Sequence, residues 1–473
     1  MLHDARQSLG GSWRVPVSHR RDVDCGVSHR LNRRAKEHTF SDRLGRGGLS
    51  REPSVEIVQD SPVSQSPTSS HRLRFGRYDY GAFLSFFSYA CASLVIAAAL
   101  PTIASDLGFS LDEGGTLKGG IMQFGRTAAT AITLVLCGFW AGRWGKRRTL
   151  GISVAMIGIG IVVGAFAPAY IALVAGLVIA GLGEGILEGL ATPFVNDLHP
   201  DEPGRYLNIA HGFWPIGSLV TALGTGLLLY LGVSWRYVLG GIGGMTILAS
   251  LVLLLPERRG HEYPEHPEII PSSVVWGHVV SVLRTPRAWL FFLSMFIAGA
   301  AEFGPTFWIS SFVQTVHGGS ELAGGVGLGC LAAGMIVGRL GWGYLIKQHQ
   351  LGRLVVVSAL AGAVVTSFLP FLNSLWALFG MLFVTGIAVA PFWPSIQSHA
   401  DHCLPHKDST MFFILLSCAG IAGCGVMTAT MGIIASVVGS LRMTFLMVPA
   451  LQLILAALLI VEARIKPING EAS

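Results

Sequence analysis

GLGEGILEGLATPFVNDLHP, Gly181 to Pro200, and GIAVAPFWPSIQSHADHCLP, Gly386 to Pro405, are two apolar stretches that open on Gly and close on Pro. They stand 205 residues apart, Gly386 against Gly181. The same offset carries Gly138, in GFWAGRWGKRR, onto Gly343, in GYLIKQHQLGR, and both of those are basic turns that follow an apolar run. A chain that repeats its apolar spans and basic turns at one long offset reads as two homologous membrane half-domains, the way many transporters are built.

Composition agrees. Of 473 residues, 51% are hydrophobic, 13% are charged and 60 are Gly, against about 25% charged for an ordinary soluble domain. Roughly 20 apolar residues cross a bilayer as a helix. On that measure the spans fall near 80–104, 116–141, 149–167, 169–193, 206–232, 235–256, 288–315, 322–346, 352–371, 374–400, 409–437 and 441–462. The expected fold is an all-α polytopic membrane protein of twelve helices in two six-helix halves. The boundaries are a tail over 1–76, a first half over 77–256, a linker over 257–286, a second half over 287–465 and a short tail over 466–473. The seven cysteines are scattered and odd in number, with no disulfide framework or metal-binding spacing.

Residues 1 to 76 are rich in Arg, His, Ser and Pro without an apolar run, so they are expected to be disordered. They lack the apolar core of a signal peptide, and Asp22, Asp24, Glu37 and Asp42 speak against a transit peptide. No Met lies between Met1 and Met122, so a shorter form would need another start codon. Lys and Arg near the span ends set orientation. One set of loops holds Arg143, Lys146, Arg147, Arg148, Arg205, Arg258, Arg259, Arg284, Arg287, Lys347, Arg353 and Lys407; the opposite set holds Lys118, Arg236 and Arg442. Both termini and the linker are therefore expected in the cytoplasm, in a plasma or bacterial inner membrane. Pro256 to Ser273 reads as a semi-rigid surface connector.

Ionisable residues inside spans are costly, which makes each a candidate for function. Glu302 lies about 21 Å into its helix at 1.5 Å per residue, toward the extracellular half, and Arg126 lies at a matching depth, so Arg126 is read as a substrate clamp or as the counter-ion of Glu302. Gly304-Pro305 beside Glu302 suggests a helix loosened around a cavity. Glu184 and Glu188 share one face of the fourth span, and His211 has nearly the depth of Glu188. Each of these carboxylates is either a proton carrier or half of a structural ion pair. Arg339, near a helix end, reads as a structural or gating residue. Trp214, Trp308, Phe392 and Trp393 offer faces for a sugar ring, with Gln123, Asn208, Gln314 and Gln397 as hydrogen-bonding partners; the plain alternative is packing. No GxxxxGK[ST], HExxH or HxE…CxxC pattern occurs, so nucleotide-driven pumping and metal hydrolysis have no support.

With these residues in hand, residues 78 to 465 resemble the major facilitator superfamily. GFWAGRWGKRR is similar to the family's basic turn, with Gly138, Arg143, Gly145, Arg147 and Arg148 fitting, and Gly142 standing where the family carries an Asp. GLGEGILEGL, LNIAHGFWPIGSL, AGAAEFGPTFWISSF and GIAVAPFWPSIQS resemble the fucose/galactose permease-like branch of sugar–cation symporters. The first span lacks the acid of one characterised branch, and Trp214 replaces an Asn found in some members. The resemblance implies alternating access by rocking of the halves, with Glu302 and one of Glu184 or Glu188 facing a central cavity. It implies a functional monomer without cofactor or nucleic acid that takes a small sugar or polyol with H⁺ and lies in a lipid bilayer. It also implies that the basic turn serves as a gate. Proton-coupled efflux of a drug or metabolite is the runner-up, a non-transporting sensor the third reading, and an enzyme the least supported. Deleting residues 1–76 is expected to leave insertion and uptake intact, because such a tail buries nothing; an inserted truncation that has lost most of its uptake would count against this.

Overall fold

The computed structural model describes residues 73–140, 145–201, 203–256, 263–264, 272–404 and 409–465. Both tails lie largely or wholly outside these, as do Gly142 and Arg143. The first half runs α1 (Arg77–Asp106), α2 (Thr116–Trp140), α3 (Lys146–Ala165), α4 (Tyr170–Leu198), α5 (Pro203–Tyr230) and α6 (Trp235–Leu254). A short α7 (Ser272–Leu283) follows. The second half runs α8 (Pro286–Ser311), α9 (Glu321–Leu345), α10 (Leu351–Phe368), α11 (Leu375–Val389), α12 (Phe392–Cys403), α13 (Ser409–Val438) and α14 (Met447–Ala463). Twelve helical spans of 20 to 31 residues are long and apolar enough to cross a bilayer among the described residues, with α11 and α12 forming one of them. At 1.5 Å per residue each reaches about 30 Å or more.

The repeat is visible in the packing. α3 packs on α4 and α6 as α10 packs on α11 and α14, and α2 packs on α4 as α9 packs on α11. The halves meet through α1 with α8, α2 with α13, and α5 with α9. Lipid tails supply no hydrophobic drive between helices, so close approach through small residues does the work. At the α5–α9 crossing, a Cβ on Gly325 would fall 2.5 Å from the Ala222 carbonyl oxygen, and one on Gly226 would fall 2.9 Å from the Gly325 Cα. At the α2–α13 crossing, Thr116 Oγ1 donates to the Gly432 carbonyl at 3.0 Å. Ser310 Oγ on α8 donates to the Ala98 carbonyl on α1, also at 3.0 Å. These contacts shut the side of the molecule away from the start of α1 and the end of α14.

The tenth span breaks at Ala390-Pro391, between α11 and α12. Pro391 has no N–H for the Ile387 carbonyl, and the Trp342 indole of α9 donates to that carbonyl at 3.2 Å instead. Around Glu302 the expectation fails: α8 runs unbroken through Gly304-Pro305, and the wide turn comes later, a π-helical stretch at Phe312–Val316. The linker also holds more order than a simple connector. SSVVWGHVVSVL is too short to span a membrane, yet its apolar residues recur at helical spacing and form α7. Val275 and Val279 pack with Leu134 of α2 and with Met411 and Ile414 of α13, one from each half.

The α5–α9 crossing yields a prediction. Overfilling a packed contact costs about 1–3 kcal/mol, which is about 5- to 150-fold in a ratio of states. Gly325→Val is expected to shift the population away from the state described here by that order, read as increased labelling of a cysteine placed beneath the closed side. Labelling unchanged from the parent would show that this crossing does not hold the closure.

Candidate functional site

A cavity of about 410 Å³ lies between the halves, within the size range of small-molecule sites. The first half contributes Phe86 and Tyr89 of α1, Glu188, Thr192 and Asn196 of α4, and His211 and Trp214 of α5. The second contributes Glu302 and Phe303 of α8, Arg339 of α9, Trp393 and Gln397 of α12, and Ser417 and Cys424 of α13. Its lining extends through Asn196, Leu207 and Phe413 toward the end of α4 and the starts of α5 and α13, on the side where α1 begins and α14 ends.

The 205-residue offset reappears in this lining. Trp393 corresponds to Glu188, Gln397 to Thr192 and Arg339 to Leu134, and all six face the cavity. The duplicated scaffold thus presents matching positions to one space from two sides, with different chemistry at each. Tyr89, Asn196, Phe303 and Ser417 were not among the sequence candidates. The offset would have found Thr192 from Gln397; Tyr89 and Ser417 carry no comparable signal, because ordinary aromatic and hydroxyl residues are common in spans.

Arg126 is not the counter-ion of Glu302. It reaches across from α2 to Glu184 of α4 and forms a fully buried ion pair with it. Arg126 Nε donates to Glu184 Oε2 at 3.1 Å, Ser93 Oγ donates to Oε1 at 3.0 Å, and Thr130 Oγ1 donates to Oε2 at 3.3 Å. Three donors from α1 and α2 therefore hold one carboxylate, with the Thr130 hydroxyl, which also donates to the Arg126 carbonyl at 3.0 Å, beside it. Helix depth gave the same level for Arg126 and Glu302 but not the direction in which either side chain points, and Glu184 lies on the helix against α2. Glu184 and Arg126 stand outside the cavity lining.

Glu302 has a different partner. Arg339 Nη2 lies 3.5 Å from Glu302 Oε1, and the Arg339 guanidinium also lies over the Trp214 ring at 5.4 Å from its centroid. That places Arg339 in the cavity, bridging an acid of its own half and an aromatic of the other, rather than at a gate near a helix end. Glu188 and His211 do line the same cavity, as their depths suggested. Glu188 stands beside Ser417 and has no ion pair with any described residue. Gln397 Nε2 donates to Ser417 Oγ at 3.0 Å.

Trp308 leaves the set of binding candidates. It is fully buried, and its indole donates to the Thr428 carbonyl at 3.0 Å, away from the cavity. Phe392 is likewise buried, and Gln123, Asn208 and Gln314 do not line the cavity. The basic turn has a local role. Gly145 has φ +78 at the start of α3, where a left-handed backbone favours Gly. Arg147 is buried and donates to the Leu253 and Leu255 carbonyls at the end of α6, capping that helix. Lys146 pairs with Asp197 at 2.7 Å, and Tyr263 donates to the same carboxylate at 2.8 Å. Arg148 is exposed, and Gly138 lies in the last turn of α2.

The Arg126–Glu184 pair yields a prediction on stability. Removing one partner of a buried pair costs about 3–5 kcal/mol, whereas exchanging both for apolar residues of similar volume is often neutral. Glu184→Gln and Arg126→Gln are each expected to lower the melting temperature sharply, and the double variant Arg126→Met/Glu184→Leu to recover most of it. A double variant no more stable than either single would remove the pair from this role.

Comparison with known proteins adds the family. Residues 81–362 match the Major Facilitator Superfamily. A chloramphenicol efflux pump of Mycobacterium tuberculosis is 27% identical over 217 residues, 41% of this chain and 50% of that protein. Myo-inositol transporter 3A of Cryptococcus neoformans is 28% identical over 178 residues, 37% of this chain and 28% of that one. The alignments thus span half or less of these curated relatives. Among solved structures, a D-xylose–proton symporter superposes with a TM-score of 0.66 at 14% identity, covering 81% of this chain and 96% of that one. The Escherichia coli fucose–proton symporter gives 0.58 at 16%, covering 82% and 98%. With twelve spans in two repeat-related halves around a central cavity, the chain is an integral membrane transporter that belongs to the Major Facilitator Superfamily.

Proposed function

We propose that this protein is a proton-coupled importer of a sugar or polyol that works by alternating access. The observation that carries the reading is the cavity itself. Trp214 and Trp393 offer aromatic faces from opposite halves, and Gln397, Asn196, Ser417 and Thr192 offer neutral hydrogen-bonding groups beside them. An aromatic face suits the C–H side of a pyranose or cyclitol, and hydroxyls need dense, fixed polar partners. The likeness in fold to two sugar–proton symporters and the partial match to an inositol transporter support the same substrate class. The domain limits stand as proposed at 77–256 and 287–465, the protein acts as a monomer, and by the excess of Lys and Arg both termini face the cytoplasm.

Glu302 is the proposed coupling group. Protonating it cancels its attraction for Arg339, and Arg339 touches Trp214 in the other half, so one proton alters a contact between the halves. A second reading, proton-driven efflux of an apolar drug, draws on Phe86, Tyr89, Phe303 and Phe413 in the same lining and on the match to an efflux pump. Uptake and efflux separate in proteoliposomes of known orientation, with a panel of monosaccharides and cyclitols set against chloramphenicol.

Glu302→Gln keeps size and hydrogen bonding but removes the titration. Accumulation driven by a proton gradient is expected to collapse, while counterflow exchange, which moves no net proton, survives in part. Accumulation at the parental level would shift the coupling role to Glu188, the other carboxylate in the cavity lining.

A further inference from the structure

We propose that His399, Cys403 and Glu462 form a binding site for a divalent transition-metal cation, Zn²⁺ being the best fit, at the end of the second half where the chain finishes. It is separate from the cavity and does not depend on the transport reading. His399 and Cys403 stand four residues apart on α12, hence on one helical face, and Glu462 arrives from the last turn of α14. Their donor atoms lie within 4.8 Å of one another.

The dimensions suit a tetrahedral ion. His399 Nε2 is 3.1 Å from Glu462 Oε2, and Cys403 Sγ is 3.9 Å from His399 Nε2. Zinc bonded to nitrogen and oxygen at about 2.1 Å and to sulfur at about 2.3 Å sets these edges at about 3.4 and 3.6 Å. A rotation of the Cys403 side chain closes the third edge, and water completes the shell. In effect the metal stands where the proton of the His399–Glu462 hydrogen bond stands. One thiolate, one imidazole and one carboxylate are a donor set for a borderline cation such as Zn²⁺, not for Mg²⁺ or Ca²⁺.

The surroundings hold these ligands in place. Arg287, at the start of α8, donates from Nε and Nη2 to Glu462 Oε1 at 2.9 and 2.6 Å, leaving Oε2 to the site. An outer hydrogen bond of that kind orients a ligating carboxylate. Phe291 packs edge-on to the His399 ring at 5.6 Å, and α10 meets the imidazole through Gly352, where a Cβ would lie 2.8 Å from Nε2. His399 and Cys403 are half-buried, so an ion has a route in. Binding releases the thiol proton and the His399–Glu462 hydrogen-bond proton to solvent, so occupancy falls as pH falls. A bound ion would tie α12 to α14 directly, and to α8 through Arg287.

The test uses full-length, tag-free protein stripped with a chelator in detergent. One equivalent of Co²⁺ is expected to give a thiolate-to-cobalt charge-transfer band with tetrahedral d–d bands. Zn²⁺ is expected to displace the cobalt and raise the melting temperature. Cys403→Ser keeps the His399–Glu462–Arg287 contacts, so it is expected to fold with the parental metal-free melting temperature and to lose the charge-transfer band. His399→Gln is expected to weaken Co²⁺ binding at least tenfold. No charge-transfer band in the folded parent, or a band that persists in Cys403→Ser, would overturn the site.

Discussion

A charge inside a bilayer must be neutralised within the protein, and the arrangement of this molecule follows from that constraint. Arg126 and Glu184 satisfy it by pairing with each other, with two hydroxyls beside the carboxylate and neither residue in the cavity lining. Glu302 and Arg339 satisfy it loosely, at 3.5 Å and at the edge of open space. Glu188 has a hydroxyl neighbour in Ser417 and no ion pair among the described residues. The three carboxylates thus run from fully compensated to barely compensated, and the degree of compensation separates a bolt from a moving part. A saturated pair fixes α2 to α4. A loose pair can exchange its partner for a proton at smaller cost than a saturated one, and the proposed coupling role of Glu302 rests on that difference.

The second organising fact is the duplication. One six-helix architecture used twice gives a pseudo-symmetric pair of walls, which differ in their side chains and in the break of the tenth span at Ala390-Pro391. Where α4 carries Glu188 and Thr192, α12 carries Trp393 and Gln397. Where α2 carries Leu134, α9 carries Arg339. Charge from one half therefore faces an aromatic or an amide from the other, so a solute in the cavity touches unlike groups on its two sides. In the proposed alternating-access cycle, rocking of the halves would change both contacts together.

The fold was legible in the sequence because it is written in long-range, redundant signals: apolar length, loop charge and a fixed repeat offset. Each of the twelve spans is announced by some twenty residues, so single errors do not matter. The site was legible only in part. Glu188, His211, Trp214, Glu302, Trp393 and Gln397 do converge, because polar or aromatic residues at similar depth in neighbouring spans tend to meet. Partner assignment failed for Arg126, since depth along a helix is one coordinate and the azimuth of a long side chain is another. Arg339 was assigned to a helix end by its nearness to Leu345, yet its stem carries the guanidinium back into the cavity. Trp308 failed for a third reason: a Trp that packs between helices and a Trp that receives a ligand look the same in one dimension.

The short helix α7 has a consequence for the resting state. Its two buried valines rest on α2 and α13 together, so they favour whichever tilt of the halves keeps those helix ends in this relation. Burying a valine is worth about 1.5–3 kcal/mol, and losing even part of that on one side is comparable to the free energies that separate transporter conformations. The connector is therefore a bias spring as well as a tether. In the proposed alternating-access cycle, a change in the length of this connector, or in its two valines, would retune the balance between the two openings without altering a single residue of the cavity lining.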